Sequence, residues 1–549
     1  MPQKIEKYDC IVIGSGPGGA PFAWRLASKG MKVLTLEAGD RYNPLKDYPL
    51  NRNDWELKGF PYRKKINNTY GGRQVLDEKY THLRSWNKAS GKLNKRDERR
   101  YLEYHRVIGV GGTTLHFQGE AHRLSTSAFR MKSLFGVAED WPIDYEDLEP
   151  YYEEAEKIVG VAGPEEIPFR PRKNPFPLPP HNLSYASKII EKTCKKKGLE
   201  LLPNSVAILS NLYRDTPPCN YCNGCVWGCP RRDKGTVDVT FIPLAEDTGS
   251  CSIITNAFAS RIELEKKNGV KRVKGVHYFD KEGKGHFVEG EFLAVACGAV
   301  ETPRLLLNSG INGNGLVGKN FMETLFYQVV AFHPERLDSY RGIPIDSVIW
   351  KWNKPDPDLG FTGGLRLYPT AGSAVGPVHY ALRYFDGWGE DFVKSIEKWF
   401  GHAIAMGGIG EFLPNKDTYV TVNEGVKDDF GIPVAQIQSY LGETELKCLD
   451  FMAKTAKEIL KASGAEEIVE EFSAYDFFSA THVFGTCRMG KDAEKSVVGP
   501  DLRSHEIKNL LITDASVFPT SGGGEAPSLT IEALSLRAAD LLFDKIKKG

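Results

Sequence analysis

The stretch YDCIVIGSGPGGAPFAWRLASKGMKVLTLEAGD, Tyr8 to Asp40, decides the fold at this end of the chain. It opens on a short apolar run, Asp9 to Ile13, whose β-branched Ile11, Val12 and Ile13 suit a buried parallel strand. Gly14-x-Gly16-x-x-Gly19 follows, and then Ala20, Phe22, Ala23, Leu26 and Ala27 fall at helical spacing. Gly30 ends that helix, and a second strand, KVLTLE, closes on Glu37. The three glycines have separate tasks: a tight turn, close approach of backbone to a pyrophosphate, and close packing of helix on strand. The helix N-terminus offers unpaired N–H groups to the phosphates. Glu37 is placed to accept from a ribose hydroxyl. Strand, glycines, helix, strand and acid together predict a βαβ dinucleotide site, without separating FAD from NAD.

The rest of the chain sets the bounds. Its 549 residues exceed one compact domain, so two or three core-forming regions are expected. Seventy-one basic and 71 acidic residues balance, which argues against a nucleic-acid or membrane-surface partner drawn by gross charge. No run of eighteen apolar residues suggests a membrane span. The N-terminus enters its first strand without a signal-peptide pattern, so cytoplasmic residence is the default expectation. Six of the ten cysteines (Cys10, Cys194, Cys251, Cys297, Cys448, Cys487) stand singly, unlike a disulfide framework.

Four more segments narrow the reading. VIGVGGTTLHFQGEAHRL (Val107 to Leu124) sets Gly109, Gly111 and Gly112 ahead of Thr113, Thr114 and His116. FLAVACGAVETPRLLLNSG (Phe292 to Gly310) reads as a buried strand, a small-residue turn and an apolar helix. THVFGTCRMG (Thr481 to Gly490) and NLLITDASVFPTSGGGEAPSLTIEALSLRAADLL (Asn509 to Leu542) close the chain. In this order the five motifs resemble the glucose–methanol–choline (GMC) family of FAD-dependent oxidoreductases, most of all its branch of gluconate and glucose dehydrogenases and pyranose oxidases. The resemblance implies an α/β fold: a Rossmann-type FAD-binding domain built from residues 1–125, 220–320 and 480–549. An α+β substrate domain and lid on an antiparallel sheet would take 126–219 and 321–479.

The same resemblance assigns roles. Alcohol oxidation by a flavin needs a base to take the hydroxyl proton while a hydride leaves the carbon for flavin N5. The family carries that base at the position of His482. Its second catalytic position is a His or Asn before a proline. Here the residue before Pro527 is Ala526, which leaves Glu525 either as the substitute or as a plain loop carboxylate. Gly14, Gly16, Gly19, Glu37, Gly111, Gly112, Thr113, His116 and Asp514 are the expected FAD contacts. A histidine matching His116 carries the flavin covalently in the pyranose oxidase branch and binds it noncovalently in other relatives.

One further motif lies outside this pattern. CNYCNGCVWGCP gives Cys219-x2-Cys222-x2-Cys225-x3-Cys229-Pro230, the spacing of a bacterial ferredoxin run. Four soft thiolates suit a 4Fe–4S cluster or zinc. Cys219, Cys225 and Cys229 also match the C-x5-C-x3-C spacing of the 3Fe–4S site in FAD-dependent glucose dehydrogenase large subunits. Reduced or disulfide-paired cysteines without metal are the remaining reading. An iron–sulfur cluster would make a dehydrogenase with an outside acceptor. Relatives of that kind work with a small subunit, which carries the export signal, and a cytochrome. An oxidase with a structural cysteine loop, or a flavin electron-transfer subunit without alcohol oxidation, are the alternatives. The substrate expected is a small sugar or alcohol. Trp350, Trp352, Tyr380, Tyr384, Trp388 and Trp399 are candidates either for stacking on it or for the core, and Thr444 to Ala465 reads as an amphipathic scaffold helix.

Overall fold

The computed structural model describes residues 7–48, 69–71, 74, 77–87, 92–93, 101–103, 105–370, 377–479 and 481–548. Lys7–Ile13 and Val33–Leu36 are parallel strands, with the helix Gly19–Ser28 crossing between them. The apolar run found in the sequence is buried on both faces, as a central parallel strand must be. Cys251–Ile254 extends the sheet beyond Val33–Leu36, and Gly285–Val295 pairs with the other edge of Lys7–Ile13. Gly285–Val295 has two neighbours on its far side. Its first half pairs antiparallel with Val270–Phe279, which returns to Phe258–Lys267, while its last residues run parallel to Leu510–Ile512. Segments hundreds of residues apart therefore end side by side at the carboxyl edge of one sheet, where open α/β sheets bind ligands.

A second sheet is antiparallel throughout: Leu365–Thr370, Ala403–Gly410, Leu325–Phe332, Glu467–Ser473, Trp86–Asn87 and Lys92–Leu93, in that order. The expected scaffold helix spans Glu443–Ala462 and packs Leu449, Met452, Ala453, Ala456 and Ile459 toward this sheet. Gly464, at φ +98°, reverses the chain just beyond it.

The aromatics of the middle region divide. Trp350 is 2% exposed, and Tyr380 and Tyr384 pack with Phe332 and Trp399 into a separate apolar cluster. Trp388 stands 90% exposed. No helix among the described residues is long and apolar enough to cross a membrane.

Candidate active site and cofactor cradle

The glycine turn is built so that side chains are excluded. A Cβ on Gly19 would sit 1.9 Å from the Gly14 carbonyl oxygen, and one on Gly14, at φ +94°, would sit 2.6 Å from that of Ala296. Gly16 differs, because a Cβ there would meet only the Gly112 Cα at 3.7 Å, so its outer side is open. Gly111 (φ +107°) and Gly112 (φ +55°) form a second turn lying directly on the first, and the Gly111 N–H donates to Ser15 Oγ at 3.3 Å.

Glu37, 6% exposed, ties the two ends of the βαβ unit together. Its carboxylate accepts from the Ser15 N–H (3.1 Å), the Ser15 hydroxyl (2.7 Å) and the Gly39 N–H (2.9 Å). Burial raises its pKa, and these donors partly reverse the effect.

Asp514 arrives from the C-terminal strand. It accepts from the Gly298 N–H (2.9 Å) and the Thr302 hydroxyl (2.6 Å), joining the last strand to the helix Gly298–Asn308. Beside it Thr513 Oγ1 is buried without a partner, and so is Asp238 Oδ1, whose Cβ borders Gly111. A cradle open at Gly16, lined by an acid and by orphaned polar atoms, fits the adenosine diphosphate end of FAD.

Thr113 is exposed next to the second turn. His116 follows, with Nδ1–H donating to the Val226 carbonyl at 2.6 Å. That contact fastens the turn to the cysteine loop.

His482 lies on a loop held by Thr324, whose hydroxyl accepts from the His482 N–H at 2.8 Å and bonds its carbonyl at 3.2 Å. Burial lowers the imidazole pKa to about 4; the Glu120 charge opposes the shift and Arg366 reinforces it. Neither Glu120 nor Arg366 was singled out in the sequence. They form a bidentate pair at 2.6 and 2.7 Å, with Arg366 fully buried. Burial, the largest single effect, would raise Glu120, but the neighbouring charges, Arg366 above all, together with the hydrogen bonds from Arg366 and Asn204 outweigh it and hold the carboxyl at about 2. The Asn204 amide also donates to Glu120 (2.9 Å), and Asn204 Oδ1 accepts from His122 Nε2 (2.8 Å). His122 Nδ1 in turn accepts from the Ala526 N–H at 3.1 Å, which fixes a neutral tautomer.

The turn of residues 522–527 is therefore pinned along its length. Arg366 Nε donates to the Gly524 carbonyl (2.6 Å), and the Asn353 amide to that of Gly523 (2.8 Å). Glu525 itself is 1% exposed. Its Oε1 accepts from Arg170 and from the Ser125 N–H, while Oε2 has no partner. Glu411 lies near enough to feel the Glu525 charge, and burial above all pushes its carboxyl up to about 8. The only sequence signal for this network was a run of ionisable residues, Glu120, His122 and Arg123, directly after the second glycine turn.

The cysteine loop stands beside the cradle. Tyr221 and Asn223 adopt left-handed backbone (φ +58° and +56°), and the Tyr221 N–H donates to the Cys219 sulfur at 3.3 Å. Burial raises Cys219 to about 12 and Cys229 to about 11, and the Asp233 charge adds to both shifts. Among the described residues no three His, Cys, Asp or Glu side chains form a group that could hold a metal ion. This does not fit a tetrahedral zinc site, in which all four sulfurs meet one ion.

A dinucleotide turn, a carboxyl-edge cradle and a half-buried imidazole, with an antiparallel sheet completing the fold, define a flavin-type oxidoreductase. Family models described as GMC oxidoreductase match residues 132–325 and 414–535. The chain belongs to the GMC oxidoreductase family and is an FAD-dependent oxidoreductase acting on CH–OH groups. It is 28% identical to the fructose dehydrogenase large subunit of Gluconobacter japonicus over 100% of both chains. It is 27% identical to the 2-methyl-1,2-propanediol dehydrogenase of Mycolicibacterium austroafricanum, over 99% of this chain and 96% of that one. A solved structure of a formate oxidase variant from Aspergillus oryzae RIB40 superposes with a TM-score of 0.66 at 16% identity, covering 99% of each chain.

Proposed function

We propose that the chain is a dehydrogenase that oxidises a hydroxyl of a sugar, sugar acid, glycoside or related polyol, with His482 as the base. The observation that carries this is an imidazole held neutral beside a buried, ionised Glu120. A neutral imidazole can take the hydroxyl proton, and the nearby carboxylate favours the cation that results. FAD supplies the hydride acceptor when bound. Residues 7–48 and 285–295, with Leu510–Ile512, position it, and the antiparallel sheet walls the substrate side. The relatives' names supply the probes: fructose, gluconate and 2-methyl-1,2-propanediol. Anaerobic bleaching of the flavin by one of these supports the reading. No bleaching by any of an extended sugar and alcohol panel would favour an electron-transfer subunit, and rapid oxygen consumption an oxidase.

Glu525 is proposed to reach the substrate hydroxyl through its unpartnered Oε2. Glu525→Gln is then expected to lower kcat roughly tenfold or more, the worth of one charge-assisted hydrogen bond. Full turnover in that variant would leave Glu525 as an anchor of the turn.

We further propose that Cys219, Cys222, Cys225 and Cys229 bind an iron–sulfur cluster, whose chemistry is single-electron transfer. Spacing and mutual proximity support this, and so does the N–H donated to a sulfur. In a cluster each thiolate has its own iron, so convergence on one point is not required. Substrate oxidation releases two electrons and two protons, and the electrons would pass singly to an outside acceptor such as ferricyanide or a cytochrome. About three or four irons per flavin, with matching acid-labile sulfide, is the expected analysis of anaerobically purified protein. Zinc, or no metal, would make the loop structural.

A further inference from the structure

The antiparallel sheet turns one face to the scaffold helix and the other to the His482 loop. In Leu325–Phe332, Leu325 and Tyr327 lie on the helix side. Leu325 shares the space beside Gly410 with Cys448 and Met452, and the Tyr327 hydroxyl donates to the Glu471 carboxylate (2.8 Å) that also accepts from Lys457 (2.9 Å). Thr324, Phe326 and Gln328 alternate with them, so their side chains share the opposite face. On that face Thr324 holds His482.

Strand register lays the face out in rows. Arg366, Ile409 and Phe326 form the row at the pinned turn, where Arg366 binds the Gly524 carbonyl. Tyr368, Gly407, Gln328 and Phe472 form the next row, two residues further along each strand and so about 7 Å away. Beyond it Ala405 and Val330 are sealed under Tyr380 and Tyr384. The middle row has a bare floor. A Cβ on Gly407 would meet Tyr368 Cε2 at 2.5 Å and Gln328 Oε1 at 3.0 Å, so both side chains lean over the same glycine. Gln328, Phe326 and Phe472 are half-buried. Among the described residues neither the Gln328 amide nor the Tyr368 hydroxyl has a hydrogen-bond partner.

A hydroxyl and an amide side by side offer donors and acceptors to another hydroxyl, and the flanking aromatic rings suit the C–H faces of a sugar. A site with polar groups waiting for a partner rejects a ligand that lacks the matching hydroxyl. We infer that Tyr368 and Gln328 are specificity-determining residues that bind a substrate hydroxyl remote from the carbon being oxidised, so that the preferred substrate is a polyol of about sugar length and not a short diol. This rests on the proposed oxidation of a sugar or polyol at His482.

The test uses the FAD-loaded enzyme under anaerobic conditions, with flavin bleaching followed over a concentration series of fructose, gluconate, glucose and 2-methyl-1,2-propanediol. The parent should prefer a sugar or sugar acid to the diol. Tyr368→Phe and Gln328→Leu should each raise the half-saturating sugar concentration about tenfold, the worth of one hydrogen bond, with a much smaller fall in the limiting rate of reduction. The preference for sugar over diol should drop by a similar factor. Where only a sugar bleaches the parent, the split between half-saturation and limiting rate decides. Equal losses for sugar and diol, a loss confined to the limiting rate, or a half-saturation that does not move would each overturn the inference. If the parent prefers the diol to every sugar, alcohol oxidation stands and the inference falls. If nothing in the panel bleaches the parent, the oxidation reading falls and takes the inference with it.

Discussion

Replacing His482 by asparagine is expected to slow flavin reduction by substrate about 10²–10⁴-fold while leaving FAD bound. The size follows from what a positioned base contributes when a hydroxyl proton must leave as the hydride departs. Asparagine keeps a polar, planar group on the loop held by Thr324, so the cradle formed by Gly16, Glu37 and Asp514 is undisturbed. The pH dependence carries a second signature. A base works only when unprotonated, and burial holds the His482 imidazole at about 4. The parent's reductive rate should therefore be flat across neutral pH and fall as pH drops through about 4, a limb the asparagine variant lacks. Stopped-flow bleaching across pH measures both. A variant reduced at the parent's rate would remove His482 from the chemistry.

The second large effect falls on stability. Arg366→Leu strands the Glu120 carboxylate and the Gly524 carbonyl in the interior, and breaking one side of a buried ion pair costs about 3–5 kcal/mol. The sign of the pH dependence can be checked independently. Glu120 is held at about 2, below its ordinary 4.5, so its stabilising contribution is complete above 4.5 and is lost as pH falls toward 2. In Arg366→Leu that acid window should disappear. The paired variant Glu120→Leu/Arg366→Leu should recover much of the loss, because two apolar side chains leave no charge unpaired. Thermal denaturation of the three variants, with the parent, closes the cycle. If the double variant is as unstable as Arg366→Leu alone, the pair is not the source of the cost. Recovered stability without recovered turnover would show that the pair also serves His482.

The cradle was legible in the sequence because each of its demands is local. A turn that admits no Cβ requires glycine at Gly14 and Gly19, and a buried parallel strand requires a run such as Cys10–Ile13. Both requirements are written in consecutive residues. The matching motifs at Phe292–Gly310 and Asn509–Leu542 were legible for the same reason, each being one strand, one turn and one helix. His482 and the cysteine loop were visible as residue types in a recognisable spacing. By contrast, nothing in GLRLYP (residues 364–369) marks Arg366 as more than one polar residue in a strand.

The sequence by itself determined the dinucleotide turn, the family and the residues offered for base, cofactor and cluster. Tertiary structure decided which groups share an electrostatic environment. It set Glu120 against Arg366, 246 residues apart, tied Ala526 to His122, and hung the cysteine loop from His116 and Lys234. Those pairings depend on how two sheets approach each other. A charge's pKa and a proton's destination depend on distance and burial in three dimensions, and neither is encoded in any run of neighbouring residues.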